Sequence, residues 1–154
     1  MSKPMLVPWR LDVPESELQP PVMLACHMVD EAWEMAGPEQ AQAFFRAIGN
    51  RIARAYPLGE LRSNDEIFAA MNAFWAESGW GRAVLRFTED GLRIVHAALP
   101  LTPPEVERGR WRDTVVAVVA GIYDYWLGQL GGSDAIKTRV VATSERSVEF
   151  VYGA

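Results

Sequence analysis

His27, Asp30, Glu31 and Glu34 crowd one short segment, and residues of these types can hold a metal ion or move protons. His27 and Glu31 stand one helical turn apart and could offer two ligands to the same ion. That is fewer than a closed metal site needs, so the cluster reads as the solvated polar face of an amphipathic helix and no metal is expected. Cys26 adjoins His27, yet neighbours on a helix project about 100° apart, which prevents a thiol–imidazole pair. The thiol falls instead on the apolar side, where a free cysteine acts as a small hydrophobe. His96 shares a strand face with Leu92 and Ile94 and points into the core or a subunit contact. No partner that would position it as a general base accompanies it.

Arg108, Arg110 and Arg112 surround Trp111 at the expected start of a helix, where the macrodipole disfavours positive charge. Glu105, Glu107 and Asp113 offer a local balance, and the alternative is a sugar- or partner-binding edge. Tryptophan faces suit the apolar C–H faces of glucose rings. Of the six tryptophans, Trp33, Trp75 and Trp126 lie on helical stripes and belong to the core, which leaves Trp9 and Trp111 for contacts outside the fold. Gly79 and Gly81, around Trp80, are turn residues with neither the length nor the lysine of a phosphate loop.

The elements that carry these residues follow from hydrophobic period. Five of the ten prolines lie in residues 1–21, which read as an extended arm ahead of one domain, 22–154. Val22, Ala25, Val29, Ala32, Trp33 and Ala36 recur at helical spacing until Gly37-Pro38 interrupts them. A second helix carries Ala41, Phe44, Phe45, Ile48, Ile52 and Ala55. Ser63 and Glu66 have capping-box spacing, so a third helix is expected from about Asn64 to Ser78, stopped by Gly79. The period then becomes two. Ala83, Leu85 and Phe87 share one face of a strand, Arg82 and Arg86 the other, and Thr88-Glu89-Asp90-Gly91 turns into a second strand over Leu92 to Ala98.

A fourth helix, apolar around most of its circumference, should run from about Trp111 to Leu130. One face holds Val115, Val119, Ile122 and Trp126. Another, with Ala117, Ala120, Asp124 and Gly128, suits either internal packing or close contact with another subunit. A second hairpin is expected over Ile136 to Thr143 and Ser147 to Tyr152, with Ile136, Thr138, Val140, Ala142, Val148, Phe150 and Tyr152 inward. The order α-α-α-β-β-α-β-β predicts an α+β domain with a four-stranded antiparallel sheet packed against helices.

Composition narrows the partners. The chain of 154 residues is about one domain, with 20 acidic against 15 basic residues and a net charge of −5. This balance lacks the basic footprint of a nucleic-acid or anionic-membrane binder. Cys26 is the only cysteine, so no internal disulfide forms. Pro4, Pro8, Arg10, Asp12 and Pro14 interrupt any leader-like apolar run. The longest apolar stretch, Val115 to Tyr123, is far below the ~20 residues of a membrane span. Cytoplasmic residence without membrane insertion is the expectation.

Trp80-Gly81, the segment Arg93-Ile94-Val95-His96 with Leu99-Pro100, Trp111, and Gly121-Ile122-Tyr123 with Trp126 occur in a fixed order that resembles the D-subunit family of bacterial cellulose synthase complexes. In that family a Trp-Gly closes a helix before a hairpin, and a later helix carries Gly-x-Tyr-x-x-Trp. The resemblance runs from about the second helix to the last strand. It implies a non-enzymatic accessory subunit without cofactors, assembled as a homo-octameric cylinder beside other cellulose synthase subunits and organising nascent β-1,4-glucan chains. A periplasmic location has also been considered for this family. The family's passageways are lined partly by amino-terminal segments, so Lys3, Trp9 and Arg10, together with Trp111, are the expected glucan contacts. Trp80, Gly81, Arg93, His96, Pro100, Gly121, Tyr123 and Trp126 are expected in structural roles. The element order also resembles ligand-binding domains of the vinyl-reductase-4 type, for which a Cys-lined or His-ligated pocket would speak.

Overall fold

Gly37 cannot continue a helix in the conformation it adopts, φ 79° and ψ 171°, and Pro38 restarts one at a position that needs no amide donor. The two expected helices are therefore the two halves of one bent element, α1 (Pro20–Ala55). The structure, a computed structural model, describes residues 20–133 and 135–153. Pro20 and Pro21, assigned to the arm in the sequence, open α1 instead; the rest of the arm lies outside the described residues.

The second helix, α2 (Asn64–Ser78), starts and stops on local chemistry. Ser63 Oγ accepts from the Glu66 amide at 3.2 Å. Glu66 reaches back past Ser63 to accept from the Arg62 amide at 2.8 Å, so the capping box is displaced by one residue. At the other end Gly79 turns left-handed, its amide donates to Ala76 O, and the Trp80 amide donates to Trp75 O at 3.0 Å. This Schellman closure aims Trp80 at the sheet.

The sheet consists of β1 (Arg82–Thr88), β2 (Gly91–Ala97), β3 (Arg139–Thr143) and β4 (Ser147–Tyr152), all antiparallel, in the order β1-β2-β4-β3. Ala83, Leu85, Leu92, Ile94, His96, Val148 and Phe150 form its buried face. Two expectations fail here. Phe87 shares that face but is 65% exposed, its ring 6.3 Å from Phe68 at the margin of the helical cover. β3 begins at Arg139, so Ile136 and Thr138 precede it; Thr138 is buried as expected, whereas Val140 and Ala142 are exposed like the rest of the strand. It is an edge strand whose alternation is broken by a register shift between Val140 and Ala142.

The last helix, α3 (Arg108–Gln129), begins before Trp111 because the Glu107 carboxylate caps it, accepting from the Gly109 and Arg110 amides at 2.9 and 2.8 Å. These donors hold the carboxyl below its ordinary range. From Thr114 to Leu127 almost every residue of α3 is buried, since α1 covers one side and the sheet the other. The small-residue face of α3 is internal packing against α1. A Cβ on Gly121 would stand 2.0 Å from Arg46 O, and one on Gly49 would stand 2.0 Å from Val118 O. Backbone meets backbone at this crossing, which admits no side chain at either position.

Candidate functional site

Trp80, His96, Tyr123 and Trp126, separate in sequence, converge where the end of α2, β2 and α3 meet. His96 is fully buried. Its Nε2 lies 2.8 Å from Trp80 O, a carbonyl that can only accept, so Nε2 carries the proton and donates. Nδ1 is then the acceptor, and the Tyr123 hydroxyl donates to it at 2.8 Å. The imidazole is neutral with its tautomer fixed. Burial pushes its pKa below the ordinary value, although the Trp80 carbonyl pulls the other way. Burial likewise pushes the Tyr123 phenol up.

Aromatic rings close around this pair. Trp75 meets His96 edge-on at 4.6 Å and Trp126 at 5.5 Å, and Tyr123 meets Phe150 at 5.8 Å. Such contacts add about 0.5–1.5 kcal/mol each beyond burial. Trp126 Nε1 donates to Tyr56 O at 3.1 Å. Gly81, with φ 111°, lies so close to Ala97 that a Cβ would stand 2.2 Å from Ala97 O.

The remaining signature residues tie loops to this core. Arg93 pairs with Glu149 across two strands at 2.7 Å. The Leu99 amide donates to Arg146 O at 3.0 Å and Arg146 Nε returns a bond to Leu99 O at 3.2 Å. Trp111 Nε1 points at Pro100 O, 3.4 Å away.

Sequence reasoning missed a buried charge that carries three hydrogen bonds. Asp124, buried in α3, accepts from Arg46 Nε at 2.6 Å, from Arg46 Nη2 at 3.2 Å and from the Thr138 amide at 2.6 Å. Arg46 Nη2 also donates to Thr138 O. One network thus joins α1, α3 and the approach to β3. A lone Asp within an otherwise apolar helix was its only signal, because Arg46 and Thr138 lie far away in sequence.

The acidic segment of α1 is committed differently from the sequence expectation. Arg110 crosses from α3 to Asp30 at 2.9 Å and to Glu34 at 3.4 Å, while Arg112 keeps the local partner Asp113 at 3.7 Å. His27 is exposed, and Cys26 is fully buried. Burial raises the Cys26 thiol pKa, helped by Glu105 and Asp30. Trp33, expected in the core, is only half-buried and donates to Thr114 Oγ1 at 2.8 Å.

Of the expected glucan contacts, Lys3, Trp9 and Arg10 lie outside the described residues. Trp111 lines an open groove of about 220 Å³ with Pro100, Leu101, Arg108, Arg112 and Arg146. Leu101 and Arg108 stand exposed at its rim, where Arg108 pairs with Glu145 at 3.3 Å. A second groove of about 470 Å³, unforeseen in the sequence, is lined by Tyr56, Phe74, Glu77 and Trp80.

The family model for the D subunit of cellulose synthase matches residues 24–153. No curated protein matches the chain.

Proposed function

Because the chain belongs to the cellulose synthase D-subunit family, we propose that it is a non-catalytic, homo-oligomeric accessory subunit that guides nascent β-1,4-glucan chains. Its working assembly in this proposal is an octamer on the cytoplasmic side, beside the other cellulose synthase subunits. One observation carries the scaffold reading: the ionisable side chains of the signature are engaged inside the fold. Both ring nitrogens of His96 are occupied by Trp80 O and the Tyr123 hydroxyl, and the Arg93 guanidinium holds Glu149. A nucleophile or base needs a free, positioned atom. These residues hold a fold together.

Glucan contact falls to the groove at Trp111, whose indole offers a stacking surface flanked by Arg108, Arg112 and Arg146 as hydroxyl partners. The arm with Lys3, Trp9 and Arg10 is assigned to the same path. A vinyl-reductase-4-type reading draws no support from Cys26 or His96, since the first is packed in the core and the second has no free ring nitrogen.

Titration with cellohexaose tests the glucan assignment. The wild type should bind with a dissociation constant of about 1 mM, and W111A should bind at least about tenfold more weakly. Melting temperature should fall modestly, because Trp111 is half-buried against the core, so binding is compared where circular dichroism shows both proteins folded. Equal binding by W111A would remove the groove from the glucan path.

A further inference from the structure

The face of the sheet turned away from Ile94 and Phe150 gathers arginine. Register sets Arg86 opposite Arg93, Arg93 opposite Val151 and Val151 opposite Arg139. Three arginines therefore stand in one row across all four strands, about 14 Å from end to end. Arg82 shares the face, about 14 Å along β1 from Arg86. Val84 and Val95, opposite each other in register, stand 53% and 41% exposed beside the row. With Arg86, Arg93 and Glu149 they line an open hollow of about 410 Å³.

Such a concentration of charge runs against the balance of the chain. The strands carry four arginines and one acid, Glu149, in a protein whose net charge is −5. Glu149 holds Arg93 at 2.7 Å. Arg82, Arg86 and Arg139 form no ion pair among the described residues, not even with Glu89 and Asp90 in the adjoining turn. Like charges directly opposite on a sheet destabilise it, and Arg86 faces Arg93. An anion brought from outside turns that repulsion into attraction. We propose that this face docks a carboxylate-rich segment of another polypeptide.

Chemistry selects that occupant. A guanidinium fork meets a carboxylate through two parallel hydrogen bonds. Same-side residues of an extended chain recur about every 7 Å, so three carboxylates cover the row while shorter side chains meet Val84 and Val95. A long polyanion fits less well, because the net charge of the chain repels it and this face carries no aromatic ring among the described strand residues for a base to stack on. A two-fold contact with a second copy would set these arginines against the same arginines. The match is independent of glucan contact at Trp111 and of self-assembly.

Fluorescence anisotropy of the full chain with a labelled oligoglutamate peptide reads the docking, with oligolysine, single-stranded DNA and phosphatidylserine vesicles as comparisons. Oligoglutamate should bind at least about tenfold more tightly than any of these, and added salt should weaken it. R86E/R139E should bind it at least about tenfold more weakly, with unchanged mass by light scattering and an unchanged circular dichroism spectrum, because both side chains are exposed and unpaired. R86K/R139K, which keeps the charge and loses the fork, should retain most of the binding. If R86E/R139E misfolds, R86Q/R139Q decides, with a loss of at least about threefold. Failure of oligoglutamate to bind, or wild-type binding by the folded variant, overturns the proposal. DNA or vesicles bound as tightly as oligoglutamate would assign the face to polyanions instead, and a smaller assembly in R86E/R139E would assign it to a second copy; either result also overturns it.

Discussion

The buried web around His96 and the outer stripe of α1 are built from opposite materials. In the web, α2, β2 and α3 meet through rings 4.6–6.4 Å apart, and the histidine's nitrogens both have partners. On the stripe, Leu24, Met28 and Met35 face outward, and Glu31 and Glu39 beside them lack ion-pair partners within the described residues. The signature order therefore encodes how one subunit folds. The exposed apolar residues of α1 lie outside that signature. Substitutions in the interior should lower stability first, and those on the outside should change mass or binding while stability holds.

The hardest blow to this contrast comes at the helix crossing. Gly121→Val sets a branched side chain against Arg46 O, a backbone atom that cannot step aside without moving α1. Overpacking of this kind costs about 3 kcal/mol or more, and urea denaturation should find little folded protein. A stable Gly121→Val variant would mean that α1 can move away from α3 at little cost. Next in size is Asp124→Ala, which strands the Arg46 guanidinium and orphans the Thr138 amide. Breaking a buried pair costs about 3–5 kcal/mol; Arg46 is partly open to water, so the lower figure applies. The urea midpoint should fall accordingly.

Much of this architecture is legible in the sequence. Gly37-Pro38 marks the bend, Ser63 and Gly79 mark both ends of α2, and strict alternation marks β1 and β2. Those signals are local, carried by a cap, a turn or a period. β3 escapes such a reading because burial at a sheet edge depends on what covers it, and the sequence of Val140 to Ala142 does not carry that information. The all-round apolarity of α3 suggests surplus surface for assembly, yet α1 and the sheet absorb it. The surplus stands on α1 instead, where Leu24, Met28 and Met35 are interleaved with the charged cluster of His27, Asp30, Glu31 and Glu34 and their stripe is masked by it.

The finest test of the contrast is the pH dependence of stability. The chain has two histidines, and His27 is exposed whereas His96 is buried neutral with its pKa lowered. Above the ordinary histidine value of 6.5 both folded and unfolded His96 are uncharged, so this group adds no pH dependence. Below it the unfolded chain takes up a proton that the folded chain refuses, and the equilibrium shifts toward unfolding. The loss deepens as pH falls toward the folded pKa, with a slope of at most about 1.4 kcal/mol per pH unit. His96→Gln can still donate toward Trp80 O and accept from Tyr123, but it cannot titrate. Urea midpoints of H96Q should stay level from pH 7.5 to about 5.5 while those of the wild type decline. Parallel profiles would show that His96 already shares its proton in the folded state, and the web would then be as open to solvent as the stripe it is contrasted with.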